Sequence, residues 1–319
     1  MSEYLISVVV PTYNTGEFLT NLFDSLKSQT IGFENIEVIF VDDNSTDKMT
    51  LDLLGKFNSY ENVKVIYKDS NSGFPGEGRN IGLKNAKGEF IIFTDHDDSY
   101  NPEAFEKMYE SSRGMDMIVC NFNQVYPDRT VPFKADFSGY LTLPAAIWTR
   151  LFRREFLIEN DISFLEGMLA EDVYVATMAS LKTDRIKYLE NLYGYNYSIR
   201  DSDEDKSTIH LRNYRYIEAI LNGYIEIDKA LERENHTQHG KDIFRKHLTS
   251  WLYTIDLSDL SEDEKSQLFE KSYDIFRKYY TEDPYFRGKY RRTAENILAG
   301  DFRKAAKDGF FKRLKKVIS

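Results

Sequence analysis

An apolar run that ends in a cluster of acids, Phe90-Ile91-Ile92-Phe93-Thr94-Asp95-His96-Asp97-Asp98, constrains this chain more than any other stretch. The Ile- and Phe-rich part reads as a buried strand. In an open α/β sheet, ligands bind at the carboxyl ends of the strands. Carboxylates placed there, with no Lys or Arg beside them, need a cation. Asp95 and Asp97 are two residues apart, so extended backbone points both to one side. Oxygen-only ligands suit Mg²⁺ or Mn²⁺ better than zinc, and such an ion often bridges to a diphosphate. The competing reading is an acidic turn that merely caps a helix starting near Pro102. This stretch alone accommodates both.

Short β-branched runs alternate with helical spacing through the first half of the chain. Ile6 to Val10 reads as a buried parallel strand. It stops at Pro11-Thr12-Tyr13-Asn14-Thr15-Gly16, a loop with turn chemistry. Residues 17–29 place Phe18, Leu19, Leu22, Phe23 and Leu26 at helical spacing. Val38 to Val41 is a second strand, ending in Asp42-Asp43-Asn44-Ser45-Thr46-Asp47, an acidic turn suited to capping the next helix. Val63 to Tyr67, Phe90 to Thr94 and Met117 to Cys120 supply three more strands. This alternation predicts an α/β fold with a parallel sheet and right-handed crossovers. The strand ends at Pro11–Asn14 and Asp42–Asp43 then open on the same edge as Asp95–Asp98.

The loop Asn71-Ser72-Gly73-Phe74-Pro75-Gly76-Glu77-Gly78-Arg79-Asn80 is rich in glycine and leads into a helix expected to begin near Arg79. Glycines let backbone approach a ligand closely, and a helix N-terminus carrying an Arg favours an anion. A Gly-Lys-Ser/Thr ending is missing, so this is no Walker A loop. A flexible connection with a surface Arg reads equally well.

Composition excludes several classes. The formal net charge of -10 argues against general nucleic-acid binding. One cysteine, Cys120, excludes a disulfide framework and fits a reducing compartment. No basic segment followed by an apolar run marks a signal peptide, and no stretch reaches the roughly 20 apolar residues of a membrane helix. The expected location is cytoplasmic.

Taken together, Ser7-Val8-Val9-Val10-Pro11-Thr12-Tyr13-Asn14, Val41-Asp42-Asp43-Asn44-Ser45-Thr46-Asp47, Gly78-Arg79-Asn80-Ile81-Gly82-Leu83 and Phe93-Thr94-Asp95-His96-Asp97-Asp98 resemble family 2 glycosyltransferases in order and spacing. Residues 146–157 resemble the segment preceding the acceptor side in bacterial members, where most relatives have Lys in place of Arg150. Met168-Leu169-Ala170-Glu171-Asp172 resembles their Glu-Asp motif. The resemblance implies a GT-A fold, a Rossmann-like and mainly parallel sheet flanked by helices, with a metal-dependent nucleotide-sugar site and an inverting mechanism.

By the same resemblance Asp97 is the metal ligand for Mn²⁺ or Mg²⁺, with Asp95 contacting the metal or the ribose. Asp98 is a lesser candidate, and His96 is a spacer. Pro11 and Tyr13 flank the nucleobase. Asp42 or Asp43 accepts a hydrogen bond from uracil. Arg79 and Asn80 sit near the donor sugar or diphosphate. Glu171 joins the donor site and Asp172 is the general base. Arg200, Lys206 and Ser207 are candidates for a diphosphate clamp, although the acids between them depart from the pattern; a solvated charged loop is the alternative.

The catalytic domain is expected over residues 1–210 and a helical C-terminal region over 211–319. Ile217, Ile220, Leu221, Tyr224 and Ile225 are spaced for a helix. The spacing of His236, His239 and His247 does not suit a metal. The basic, aromatic tail from Phe302 to Ile318 has four readings: peripheral contact with an anionic membrane, packing on the helices, contact with a polyanionic acceptor, or a solvated helix. The C-terminal region is also a candidate site of self-association into a homo-oligomer. The overall expectation is transfer of N-acetylglucosamine or another hexose from a UDP-sugar to a polymer such as wall teichoic acid. A capsular or exopolysaccharide enzyme acting on a lipid-linked acceptor is the first alternative. A non-catalytic nucleotide-sugar binding protein is the second, and the intact Glu171-Asp172 pair speaks against it.

Overall fold

Strand β1 (Tyr4–Thr12) is buried along nearly its whole length and has a parallel neighbour on each side. Such a strand needs a nearly continuous apolar run, and Ile6 to Val10 supplies it apart from Ser7, whose buried hydroxyl donates to Glu37 at 2.5 Å and accepts from the Gly88 amide at 2.8 Å. In this computed structural model, which describes residues 3–135, 139, 145–199, 212–281, 286 and 288–307, β1 lies between β2 (Ile36–Asp42) and β4 (Gly88–Phe93). Strand β3 (Val63–Tyr67) pairs parallel with β2. The register sets Thr12 opposite Asp42 and Val9 opposite Phe93, so the three acidic or turn-forming strand ends lie side by side.

Beyond β4 the sheet becomes mixed. The described strands run β3-β2-β1-β4-β8-β6-β9-β5, and β7 (Thr130–Phe133) pairs off this path with β6 (Met117–Val125). Strand β8 (Arg150–Arg153) is antiparallel to both β4 and β6. It falls in a stretch read from sequence only as a motif. Four residues with an arginine at each end show no strand periodicity, although Leu151 and Phe152 are fully buried. The two short strands expected over 186–197 are one strand, β9 (Ile186–Ser198), which pairs parallel with β6. A bulge opposite Cys120 and Asn121 interrupts its pattern, and the Asn121 side-chain amide donates to the Glu190 carbonyl at 2.7 Å. Strand β5 (Ser99–Tyr100) pairs antiparallel with β9. Asp116 accepts from Arg153, Arg185 and Thr183 and ties the starts of β6 and β9 to the end of β8.

Helix α1 (Phe18–Lys27) buries Leu19, Leu22, Phe23 and Leu26. Asp47 caps α2 (Lys48–Phe57) by accepting from the Met49 and Thr50 amides, so this acidic turn does act as a cap. Helix α3 runs Pro75–Asn85, so it begins four residues before the expected Arg79, with proline at its first position. Its glycines face close neighbours. A Cβ on Gly82 would come 2.2 Å from Val9 Cγ1, and one on Gly76 would come 2.0 Å from the Leu165 carbonyl oxygen. Helix α3 therefore lies against β1 at a distance only glycine permits. Helices α4 (Ala104–Glu110), α5 (Arg154–Glu159) and α6 (Glu171–Lys182) complete the layer elements.

The chain divides into two units, residues 1–167 with 171–201, and residues 168–170 with 202–319. The division expected at residue 210 falls within 200–211, outside the described residues. The second unit is helical: α7 (Tyr214–Arg233), α8 (Gly240–Asp256), α9 (Glu262–Tyr279), α10 (Gly288–Leu298) and α11 (Phe302–Lys307). Trp251 in α8 is fully buried and donates its indole N–H to the Ile217 carbonyl in α7 at 3.1 Å. Asp228 in α7 accepts from Lys278 at 2.6 Å and from the Tyr279 hydroxyl at 2.6 Å in α9. Residues 308–319 of the basic tail lie outside the described residues. Among the described residues no helix is long and apolar enough to cross a membrane.

Two glycine substitutions should differ in sign. Gly82→Ala should destabilise by about 1–3 kcal/mol, the usual cost of forcing a methyl into a packed contact. Gly55→Ala, on an exposed stretch of α2 with nothing within 4 Å, should stabilise by about 0.5–1 kcal/mol. Denaturant unfolding of both variants checks the pair.

Candidate active site at the carboxyl ends of the parallel strands

The end of β1 is braced from the β2 side. Asn14 adopts a left-handed backbone (φ 46°), its Oδ1 accepts from the Thr46 and Asp47 amides at 2.8 and 3.0 Å, and its amide donates to Ser45 Oγ at 2.9 Å. This pinned turn leaves the Tyr13 ring 46% exposed. Pro11 beneath it is buried against Gly78 of α3.

The two β2 carboxylates are used differently. Asp42 is buried; its Oδ2 accepts from the Ser45 amide at 3.0 Å, and its Oδ1 has no hydrogen-bond partner among the described residues. Asp43 holds the following loop: it pairs with Lys68 and accepts from the Ser72 amide (3.0 Å), the Ser72 hydroxyl (2.9 Å) and the Gly73 amide (3.3 Å). Lys68 also reaches Glu77 at 2.8 Å. Burial works to raise the Asp43 carboxyl, but Lys68 and Ser72 outweigh it and hold it below the usual range. Asp43 keeps some exposure, with 14% of its side chain accessible.

Arg79 joins three motifs. The residue is 4% exposed, its Nη2 donates to Asp95 at 2.8 Å and its Nη1 donates to Glu171 at 2.5 Å. The Phe164 ring lies 5.4 Å from the guanidinium. Arg79 thus sits in the second turn of α3, enclosed by acids, and not at a helix N-terminus open to an anion. Asn80 beside it donates to the Phe164 carbonyl at 2.9 Å and to Glu166 at 2.8 Å, and accepts from the Phe164 amide at 2.8 Å. Both side chains serve to hold the segment 164–166 and the acidic motifs in place.

Within the acidic stretch each position does something different. Asp95 pairs with Arg79, and Asp97 is half-buried. His96 places Nδ1 3.1 Å from the Pro11 carbonyl. Asp98 is turned inward: it is buried, accepting from the Tyr195 hydroxyl at 2.6 Å and from the Ser198 amide at 2.7 Å. Burial first, and Asp95 second, push its carboxyl up to about 7. Asp98 therefore anchors the stretch to β9.

Glu171 and Asp172 open α6, where carboxylates suit the helix dipole. Burial raises both carboxyls above their usual range, against the pull of Arg79. The Asp172 carboxylate accepts from the Val173 amide at 2.7 Å. Arg150 at the start of β8 is 1% exposed, donates to the Ala146 carbonyl at 2.9 Å and leaves its Nε without a described partner. Burial lowers its guanidinium to about 10, while Asp172 works to raise it. Arg150 lies close enough to act as a second positive charge for Asp172.

Among the described residues no group of three or more His, Cys, Asp or Glu is arranged to hold a metal ion. Asp95 and Asp97 nevertheless offer hard oxygen ligands. Mg²⁺-like ions are commonly held by one or two carboxylates plus substrate phosphates and water, and the residues present fit that mode. Arg200, Lys206 and Ser207 lie outside the described residues. Sequence reasoning missed Lys68, Phe164, Glu166 and Tyr195. Lys68 had a readable position, directly after β3 and level with the acidic end of β2; the other three act through contacts that no local pattern announces.

Asp98 has a pH signature. An acid with a folded pKa near 7 and an unfolded value near 4 binds an extra proton on folding between those pH values. Its contribution to stability is complete below about pH 4 and is lost as pH rises to about 7. Asp98→Asn cannot ionise, so its stability relative to the wild type should rise across that window in denaturant unfolding.

Comparison with known proteins gives consistent findings. The profile of glycosyl transferase family 2 matches residues 7–169. Poly(ribitol-phosphate) β-N-acetylglucosaminyltransferase TarS of Staphylococcus aureus is 32% identical over 255 residues, 76% of this chain and 44% of that protein. A poly(ribitol-phosphate) β-glucosyltransferase of Bacillus spizizenii is 34% identical over 223 residues, 65% of this chain and 34% of its own length. The chain thus spans less than half the length of these relatives. The crystal structure of S. aureus TarS residues 1–349 in complex with UDP-GlcNAc superimposes with a TM-score of 0.75 at 27% identity, covering 98% of this chain and 92% of that one.

Proposed function

The chain belongs to glycosyl transferase family 2, and from that premise we propose that it moves a sugar, N-acetylglucosamine in the first instance, from a UDP-sugar to a hydroxyl of a poly(ribitol phosphate)-type cell-surface polymer with inversion. The observation that carries this reading is the convergence of Asp95, Arg79, Glu171 and Asp172 in one cluster beside the ends of β1, β2 and β4. The donor and the acceptor class follow the printed names of TarS, its UDP-GlcNAc complex and the Bacillus enzyme.

In this reading the exposed Tyr13 ring, with Pro11, forms one wall for the uracil. Asp43, which keeps access, or the buried Asp42 beside it in sequence accepts from the base. Asp97 and Asp95 would hold Mn²⁺ or Mg²⁺. When bound, the ion neutralises charge that develops on the departing diphosphate. Arg79 and Asn80 shape the floor under the donor sugar, and Glu171 is held by Arg79 facing the same space. Arg200, Lys206 and Ser207 remain candidates to close over the diphosphate.

Asp172 takes the acceptor's proton. The acceptor oxygen forms its bond to the sugar C1, the C1–O bond to phosphate breaks, and that electron pair leaves with UDP. A base must be ionised to do this. Burial raises the Asp172 carboxyl, and Arg79 and Arg150 draw it back down. The acid limb of the rate profile should therefore lie above the ordinary carboxylate range.

Asp172→Asn should lower transfer to poly(ribitol phosphate) by about 10²–10⁴-fold while UDP-GlcNAc still binds in calorimetric titration. Undiminished transfer would sink the base assignment. Asp97→Ala should abolish the part of UDP-GlcNAc binding that depends on Mn²⁺, measured against a chelator control. Arg150→Met removes a positive charge near Asp172, so the acid limb of kcat/KM should move to higher pH; an unmoved limb removes Arg150 from the electrostatics of the base.

A further inference from the structure

The His96 side chain does the work of a missing backbone rung. Strands β1 and β4 are parallel, with Val9 opposite Phe93. In such a ladder, alternate β1 carbonyls face β4. The Thr94 amide donates to the Val9 carbonyl at 3.0 Å, one rung past the end of β4. The next β1 carbonyl on that side belongs to Pro11, and its register partner would be the amide of residue 96. Here the acidic stretch has already begun to leave the sheet, and the imidazole of the same residue reaches back, placing Nδ1 3.1 Å from the Pro11 oxygen. A carbonyl oxygen only accepts, so Nδ1 carries the hydrogen.

We propose that His96 is a positioning residue that fixes the spacing between the nucleobase wall at Pro11–Tyr13 and the Asp95–Asp97 pair. The inference rests on the donor-site reading above and assigns to the middle position of the acidic triplet a role beyond that of spacer. Asp95 is held on one side by Arg79 and Asp98 on the other by Tyr195 and Ser198. Neither contact refers to β1. The His96 link ties this stretch directly to the end of β1, two residues before Tyr13. A ligand that touches only the base needs no such spacing. A ligand that spans from base to diphosphate does.

The test compares uridine, UDP and UDP-GlcNAc binding, with Mn²⁺, to the wild type and to His96→Asn, His96→Gln and His96→Leu. An Asn amide places a donor where Nδ1 stands; a Gln amide places one where Nε2 stands; Leu has none. The expected result is that Leu and Gln weaken UDP and UDP-GlcNAc by about fivefold to tenfold, the worth of one ordinary hydrogen bond, that uridine binding changes little, and that Asn restores the loss. Equal weakening by Asn, Gln and Leu would overturn the positioning role, as would unchanged UDP binding in both Gln and Leu. The Asn–Gln contrast still decides if Leu does not fold. Nitrogen NMR of the wild type at pH 8, without ligand, should find the His96 proton on Nδ1; a proton on Nε2 overturns the link whatever the ligand does. A wild type that binds none of the three ligands overturns the donor-site reading and the positioning role with it, whereas the NMR result stands on the fold alone.

Discussion

A buried guanidinium between two carboxylates holds this site together. Removing Arg79 from water carries a penalty of several kcal/mol, repaid only when good partners surround the charge. Asp95 and Glu171 supply them at 2.8 and 2.5 Å. These partners come from the stretch after β4 and from the start of α6, so one side chain from α3 fixes the mutual position of segments far apart in sequence. Losing either partner would leave a buried charge half-compensated. The arrangement also demands that α3 lie deep against the sheet, which is why Gly76 and Gly82 stand where any Cβ would collide with Leu165 or Val9.

Much of the parallel half was legible in the sequence for a physical reason. Strands buried on both faces are close to continuously apolar; Val38 to Val41 and Phe90 to Phe93 are so throughout, and Ile6 to Val10 is so except at Ser7, whose buried hydroxyl is satisfied by Glu37 and the Gly88 amide. The mixed half was less legible. β8 is four residues long and flanked by arginines, and the bulge in β9 breaks its alternation near Glu190. Helix α3 was placed four residues late because glycine at positions 76 and 78 reads locally as loop; here those glycines serve packing, not flexibility. Family resemblance supplied candidate roles, but the roles of Asn80, Asp98 and His96 as braces depend on Phe164, Tyr195 and Pro11, partners brought close only by the fold.

Three of the acids near the strand ends are committed to the fold. Asp47 caps a helix, Asp43 gathers Lys68 and Ser72, and Asp98 is satisfied by Tyr195 and Ser198. These build the frame. Asp97 is half-buried and Asp172 opens α6, and in the reading proposed above these two act on the ligands. A D-x-D pattern read alone cannot separate them, because neighbouring carboxylates on one loop point to opposite sides. Burial and the hydrogen bonds from Tyr195 and Ser198 set Asp98 apart from its neighbours.

Asp172 sits in an electrostatic balance that the donor itself should tip. Burial and the nearby Asp95 make ionisation of Asp172 harder, while Arg79, Arg150 and the Val173 amide make it easier. Arg79 gives Asp172 the larger pull even though it is shared with Glu171 and Asp95, and Arg150 adds a smaller one in the same direction. Any further positive charge near Asp95 would offset that carboxylate and lower the Asp172 pKa in turn. By linkage, ionisation of Asp172 and occupancy of the acidic pair by a cation favour one another. In the mechanism proposed above, such a base would be readiest when the donor side is loaded and less ready when it is empty, which would keep proton abstraction in step with the presence of a sugar to receive the attack.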